Sequence, residues 1–297
     1  MNNYLIFRTD RIGDFLLTAI LIKSIKRNDP GCYIFLVSSE KNFEYINSFK
    51  NIDKVFFLKK GFINKVKLFF SLNKYSYRSI IVHDSKNRSK IISFFLKSKK
   101  KYIPNNNKLI SYIDEIKNIL KYLNFNFADI DLNTLNSRNI DFSKLDQKDY
   151  ILFHFDEKWI FNKYIDTYVN IEPNEKDLEF FLNSLSLKSN KNIIVTTGIN
   201  APDILENIFK KNLNNKIQLI KNTSFIDLEC LINHSSLLIS CHGSVSHVAA
   251  AKNIKQVDII DESYDYNKWT KHFRSYKSIN RKPFKELSAE ILNLNFI

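Results

Sequence analysis

The chain has 297 residues, a formal net charge of +14 and 44% hydrophobic residues, which fits two domains of about 150 residues each and excludes a largely disordered chain. No apolar run approaches the roughly 18 residues of a spanning helix, and Met1 to Phe7 passes straight into a strand-like run without the basic start and cleavage site of a secretory signal. The cysteines Cys32, Cys230 and Cys241 form no CxxC pair, which argues against a disulfide framework or zinc ribbon and for a cytoplasmic chain with reduced thiols.

Tyr4 to Thr9 predicts a buried strand and Ile12 to Arg27 an amphipathic helix. Strands are expected again at Tyr33 to Ser38, Lys54 to Leu58 and Ser79 to Asp84, with helices over 40–49, 62–73, 86–98 and 109–123. Residues 124–148 are polar and weakly periodic, the composition of a linker. The alternation restarts with strands at Tyr150 to Phe155, Asn192 to Thr197, Lys216 to Ile220, Leu237 to Cys241 and Gln256 to Ile260. Helices are expected near 174–186, 202–213, 225–234, 245–253 and 284–294. Two blocks of strand–helix units predict an α/β chain with two parallel-sheet domains, 1–148 and 149–297.

Only five glycines are present, where average usage gives about 20, so each has a backbone reason to be there. Gly13, Gly198 and Gly243 lie just beyond expected strands, on the edge where open α/β sheets bind ligands. Gly243 opens a helix in Cys241-His242-Gly243-Ser244-Val245-Ser246-His247. Such a turn presents backbone N–H groups and the positive helix end to a phosphate, or is simply a tight strand-to-helix turn. Neither GxGxxG nor the Walker pattern is present.

Residues 51–100 carry +11 of the net charge. Lys59, Lys60, Lys65, Lys67 and Lys74 alternate with Phe62, Ile63, Val66, Phe69 and Phe70, and a second basic run reaches Lys101. A basic amphipathic helix suits an anionic membrane surface, and the alternative is a solvated lysine face over an aromatic core. Nucleic acid is a weaker partner, because no helix-turn-helix, RRM, KH or zinc pattern accompanies the charge.

The segment Arg8-Thr9-Asp10-Arg11-Ile12-Gly13-Asp14-Phe15-Leu16-Leu17-Thr18 resembles the pattern R-x-D-x-x-G-D-x-x-x-T of glycosyltransferase family 9, the bacterial heptosyltransferases. His242 to Ala251 is similar to that family's C-terminal signature, Phe155-Asp156-Glu157-Lys158-Trp159 to its lysine-bearing loop, and Ser79 to Pro104 to its strand and basic helix. The resemblance implies a GT-B fold of two facing Rossmann-like domains with a cleft between them. The first domain would bind acceptor and the second a nucleotide-sugar donor, with the final helix packing back on the first. It further implies metal-independent, inverting transfer of a heptose or similar sugar from an ADP-linked donor, with no cofactor. The acceptor would be lipopolysaccharide core or another surface glycan, and the enzyme would be cytoplasmic or peripheral on the inner membrane face.

On this reading Asp14 is the general base, with Asp10 as runner-up; alternatively Asp14 only caps its helix. Arg8, Arg11 and Gly13 belong to the same acceptor loop, the arginines either contacting acceptor phosphate or pairing with the aspartates. Lys158 would neutralise the donor diphosphate, while Trp159 is core or stacks on ligand. Ser244, Val245 and Ser246 would offer backbone N–H groups, His247 matches the family histidine or is a packed helix residue, and Thr197 and Gly198 would border the nucleotide. His242 stands where the family has an acidic residue, which opens the donor sugar to change and raises a non-catalytic binding relative as a rival. Cys241, His242 and His247 match no zinc spacing, and Asp129-Ile130-Asp131 is a chance DxD in the linker.

Overall fold

The computed structural model describes residues 1–104, 110–126, 149–210 and 213–295. The first stretch runs β1 (Asn3–Phe7), α1 (Ile12–Asn28), β2 (Tyr33–Ser39), α2 (Phe43–Ile46), β3 (Lys54–Leu58), α3 (Phe62–Leu72), β4 (Tyr77–Val82), α4 (Asn87–Phe95), β5 (Ser98–Tyr102) and α5 (Tyr112–Leu123). Its strands form a parallel sheet in the order β3-β2-β1-β4-β5. Tyr4, Leu5, Ile6 and Phe7 are all buried, because helices cover both faces of a parallel sheet and leave its central strand no polar alternation. Leu68 and Leu72 of α3, Ile92 of α4 and Leu96 just after it join Leu5, Phe7, Phe35 and Val37 in one core on one face.

The second stretch runs β6 (Tyr150–His154), α6 (Glu175–Ser189), β7 (Asn192–Thr196), α7 (Asp203–Phe209), β8 (Ile217–Ile220), α8 (Phe225–His234), β9 (Ser235–Cys241), α9 (Ser244–Lys252), β10 (Lys255–Ile260), α10 (Asn267–Thr270), β11 (Tyr276–Asn280) and α11 (Phe284–Leu292). A 3-10 turn at Glu157–Trp159 follows β6. The sheet order is β11-β10-β9-β6-β7-β8, again all parallel. The chain divides into Met1–Ser137 with Asn267–His272, and Arg138–Tyr266 with Phe273–Ile297.

Strand order reverses once in each sheet. In the first, the chain builds outward from β1 to β3 and then crosses back to lay β4 beside β1. In the second, it builds from β6 to β8 and returns to lay β9 beside β6. At such a switch point the loops leaving the two adjacent strands diverge and open a crevice. Of the loops singled out by sequence, those after β1, β6 and β9 leave switch-point strands, whereas the Thr197-Gly198 turn follows β7, one strand further along the sheet.

Several expectations need correction. Ser98–Tyr102, running on from the helix expected over 86–98 where no strand is expected, is an edge strand: Ser-Lys-Lys-Lys-Tyr pairs with β4 while lysines guard the open edge. Tyr276–Asn280 is a second strand missed for the same reason, a polar edge run without β-branched alternation. The helix expected over 40–49 shrinks to Phe43–Ile46. The final helix buries Phe284, Leu287 and Ile291 in the second unit's own core and packs on α6; the segment that joins the first unit is Asn267–His272 instead. Most of the linker expected at 124–148, its Asp129-Ile130-Asp131 and the 148/149 boundary lie outside the described residues.

Candidate functional site

Each unit carries one polar cluster at its switch point. In the first, Arg8 leaves β1 fully buried. Its Nε donates to Thr18 Oγ1 at 2.6 Å and its Nη1 to Asp10 Oδ2 at 3.0 Å. Burial opposes the guanidinium charge, but the carboxylates of Asp10 and Asp14 outweigh it and hold Arg8 protonated. Arg8 therefore sits behind Asp10 as a positioning group. Gly13 is buried in the first turn of α1.

Asp10, Arg11 and Asp14 line a pocket of about 1440 Å³. Asp14 Oδ2 accepts the Arg11 N–H at 3.3 Å, so this carboxylate caps α1 and faces the pocket at once. Burial raises the Asp10 pKa to about 6; Arg8 opposes the shift, and the charges of Asp14 and Asp84 add to it.

The loop after β4 supplies the other wall, which sequence reasoning did not assign. Thr9 N–H and Oγ1 donate to Asp84 Oδ2 at 3.2 and 2.5 Å, and Ser89 Oγ donates to the same oxygen at 2.7 Å. Arg88 Nη2 donates to Thr9 O at 3.1 Å and to Thr9 Oγ1 at 2.9 Å. His83 lies beneath, its Nδ1 2.9 Å from Thr18 Oγ1. Burial, reinforced by the Arg8 charge, keeps its imidazole neutral. Arg8 Nη2, Asp10 Oδ1 and Arg88 Nε are buried without a hydrogen-bond partner, and such atoms gathered at one loop mark a place where a polar ligand would restore bonding. Lys41, Lys60, Lys86 and Lys268 also line the pocket, and with Arg11 and Arg88 they outnumber its carboxylates, Asp10, Asp14, Asp84 and Glu115, so the net field favours an anionic ligand.

In the second unit, Asp156 follows β6 and organises the next turn. Its Oδ1 accepts the Lys158 N–H at 3.1 Å, and its Oδ2 pairs with the Lys158 ammonium. Burial alone would neutralise both groups. Their mutual attraction wins, raising the Lys158 pKa above the ordinary lysine range and lowering that of Asp156 below the carboxylate range. Trp159 is core: it is fully buried, stacks on Phe155 with centroids 5.4 Å apart, and donates Nε1–H to His154 O at 2.9 Å.

The Lys158 ammonium lies against Gly243. A Cβ at Gly243 would stand 3.1 Å from Lys158 Nζ and 3.3 Å from Cε. The backbone there is extended, with φ 176°, so glycine provides room rather than an unusual conformation. Ser246 Oγ accepts the Gly243 N–H at 3.2 Å and donates to Asp258 Oδ1 at 2.7 Å. The Ser246 and His247 N–H groups donate to Gly243 O at 3.1 and 3.4 Å. The N–H groups of Ser244 and Val245 are therefore the ones at this helix start without a carbonyl in their own turn. A lysine ammonium and a helix N-terminus thus converge on one spot, the electrostatics a diphosphate needs.

His242 Nδ1 stands 2.6 Å from Asp258 Oδ2, and its ring lies 4.7 Å from that of Tyr266 and 5.7 Å from that of His247. A fully buried aspartate of β10 thus stands directly behind the His242 ring. His247 is buried in α9 and packs edge-on against Phe273. Thr197 Oγ1 donates to Gly198 O at 2.9 Å and accepts the Asn222 N–H at 3.1 Å, so it shapes the turn after β7, where Gly198 faces Glu157. Arg281, after the unforeseen strand β11, donates to Lys158 O and lies 4.6 Å over the Tyr168 ring. Among the described residues no three His, Cys, Asp or Glu side chains group to hold a metal ion, and no helix is long and apolar enough to cross a membrane.

No family model and no curated protein matches the chain by sequence. Solved structures do match it by fold. Glycosyltransferase family 9 from Veillonella parvula DSM 2008 aligns at TM-score 0.74 and 13% identity over 100% of this chain and 92% of that one. Heptosyltransferase WaaC of E. coli with ADP aligns at 0.71 and 13%, covering 97% and 98%. UDP-GlcNAc 2-epimerase of Methanocaldococcus jannaschii, in complex with UDP-GlcNAc and UDP, aligns at 0.52 and 14%, covering 100% and 94%. At these identities the likeness establishes the fold, which is GT-B: two parallel-sheet α/β domains in one chain.

Proposed function

We propose that the chain is an inverting glycosyltransferase that moves a sugar from a nucleoside-diphosphate donor, ADP-linked by resemblance, to an anionic glycan such as a lipopolysaccharide core. The observation that carries this reading is Lys158 seated against Gly243 at the start of α9. The acceptor enters the pocket of the first unit, where Asp14 takes the hydroxyl proton. The acceptor oxygen then bonds to the anomeric carbon from the face opposite the leaving group, and the carbon–oxygen bond to the diphosphate breaks. Negative charge grows on the departing diphosphate, where Lys158 and the α9 N-terminus oppose it. Lys158 gives up no proton, since Asp156 holds it protonated.

The test is acceptor-dependent release of nucleoside diphosphate from a panel of ADP-, GDP- and UDP-sugars with lipid-core acceptors. Release that requires acceptor supports the transferase. Donor binding without release from any pair favours the non-catalytic relative that His242 raises, and retention on nucleic acid alone would favour the basic-protein reading.

Two further outcomes are expected. Gly243→Ala pushes its methyl group onto the Lys158 ammonium. Nucleoside-diphosphate affinity measured by calorimetry should fall about tenfold, roughly the worth of one charge-assisted hydrogen bond. The melting temperature should hold, since a flexible lysine tip can yield.

The second outcome is a pH dependence. Asp10 titrates at about 6 in the folded chain and at about 3.9 unfolded. Between those values the folded state binds more protons, so this group's contribution to stability is full below about pH 4 and lost as pH rises through about 6. Activity runs the other way if the ionised Asp10–Arg8 pair shapes the loop: kcat/KM should fall below an apparent pKa of about 6. Asp10→Asn should remove that limb, and an unchanged limb in the variant would exclude Asp10 as its source.

A further inference from the structure

We propose that the outer faces of α3 and α4 dock the protein on an anionic lipid surface. Both helices pack on the same face of the first sheet through Leu68, Leu72 and Ile92. Their opposite sides are apolar as well. On α3, Phe62, Ile63, Val66 and Phe70 are exposed, Phe62 at 79% and Phe70 at 61%. With about 3.6 residues per turn, these four fall in one arc of about 100°, opposite Leu68 and Leu72. On α4, Ile91, Phe94 and Phe95 recur at the spacing of one helix face, with Phe94 70% and Phe95 64% exposed. A solvated lysine face would carry lysines, not phenylalanines, at its outermost positions.

Charge selects the partner. Asp84 is the only acidic residue between Asp53 and Asp114, and it is buried. Lys59, Lys67, Lys74 and Lys97 are exposed around the aromatics. Two copies of this face would repel each other, and duplex nucleic acid, its bases already stacked inside, offers the phenylalanines little. A membrane of anionic lipids takes both parts, rings into the acyl boundary and lysines onto the headgroups. Lys60, just before α3, and Lys86, Asn87 and Arg88, at the start of α4, line the large pocket. Docking would bring the pocket mouth to the surface, so its ligand would be the polar head of a lipid-anchored glycan; that extension rests on the proposed function, whereas membrane binding does not.

Vesicle flotation of the full chain tests this. It should float with phosphatidylglycerol–phosphatidylcholine vesicles, not with phosphatidylcholine alone, and should be released by salt. The combined variant Phe62→Ser, Phe70→Ser, Phe94→Ser, Phe95→Ser should keep its melting temperature and lose vesicle affinity by more than about tenfold. Lys67→Gln with Lys74→Gln and Lys97→Gln should lose the salt-dependent part. Equal flotation of the serine variant and the parent would overturn the proposal. So would a serine-sensitive dimer seen by light scattering, or retention on RNA, in place of vesicle binding. Vesicle binding without sugar transfer would sink the proposed function and leave the docking face standing, whereas transfer to a water-soluble acceptor without vesicle binding would do the reverse.

Discussion

Lys158→Met should lower kcat by about two to three orders of magnitude, the scale on which one donor to a developing negative charge acts, with a smaller change in donor KM. On the proposed function the ammonium would meet the diphosphate in both ground and transition states, but its charge would count most when the sugar–oxygen bond breaks. The variant also takes from Asp156, a buried carboxylate, its ammonium partner and leaves it the backbone N–H of residue 158 and the His154 ring 3.6 Å away, at a cost of up to about 3 kcal/mol in stability. Lys158→Met with Asp156→Asn separates the two effects, because removing both charges should restore most of the melting temperature and none of the rate. Lys158→Arg should not rescue, since Nζ already lies 3.1 Å from where a Gly243 Cβ would stand and a planar guanidinium is wider. Stopped-assay nucleotide release and thermal denaturation of the four proteins, parent included, check these outcomes.

Asp14→Asn should reduce kcat by about two to four orders of magnitude while leaving nucleotide affinity in the second unit intact. Asparagine keeps an oxygen for the Arg11 N–H, so the cap survives and the melting temperature should stay near the parent's. Asp14→Ala removes the cap as well and should cost about 1 kcal/mol more. Asp10→Asn is the necessary companion, because Asp10 lines the same pocket. A collapse of turnover in Asp10→Asn with near-normal Asp14→Asn would exchange their roles.

The sequence was most legible where function is local. Arg8 to Thr18 is one strand end and one helix start, and Arg8, Asp10, Asp14 and Thr18 meet there because they are neighbours along the chain. The partners that cross between strands were not legible. Asp84 and Arg88 reach Thr9 because β4 returns beside β1, and no periodicity encodes strand order. Asp258 offered a signal that went unused: an aspartate inside the apolar run of β10 needs a buried partner, and His242 and Ser246 provide it. Arg281 was hidden behind β11, whose Tyr-Lys-Ser-Ile-Asn does not read as a strand. Trp159 showed the opposite limit, since its position beside Lys158 suits a ligand and only packing assigns it to the core.

The most direct test of the account is proton NMR of the anomeric signals of a turned-over nucleotide sugar, with acceptor present and then absent. The account predicts that the donor signal decays only with acceptor, replaced by a glycoside of opposite anomeric configuration and free nucleoside diphosphate. An unchanged donor in the presence of its acceptor, a retained configuration, or an epimerised nucleotide sugar formed without acceptor would contradict it.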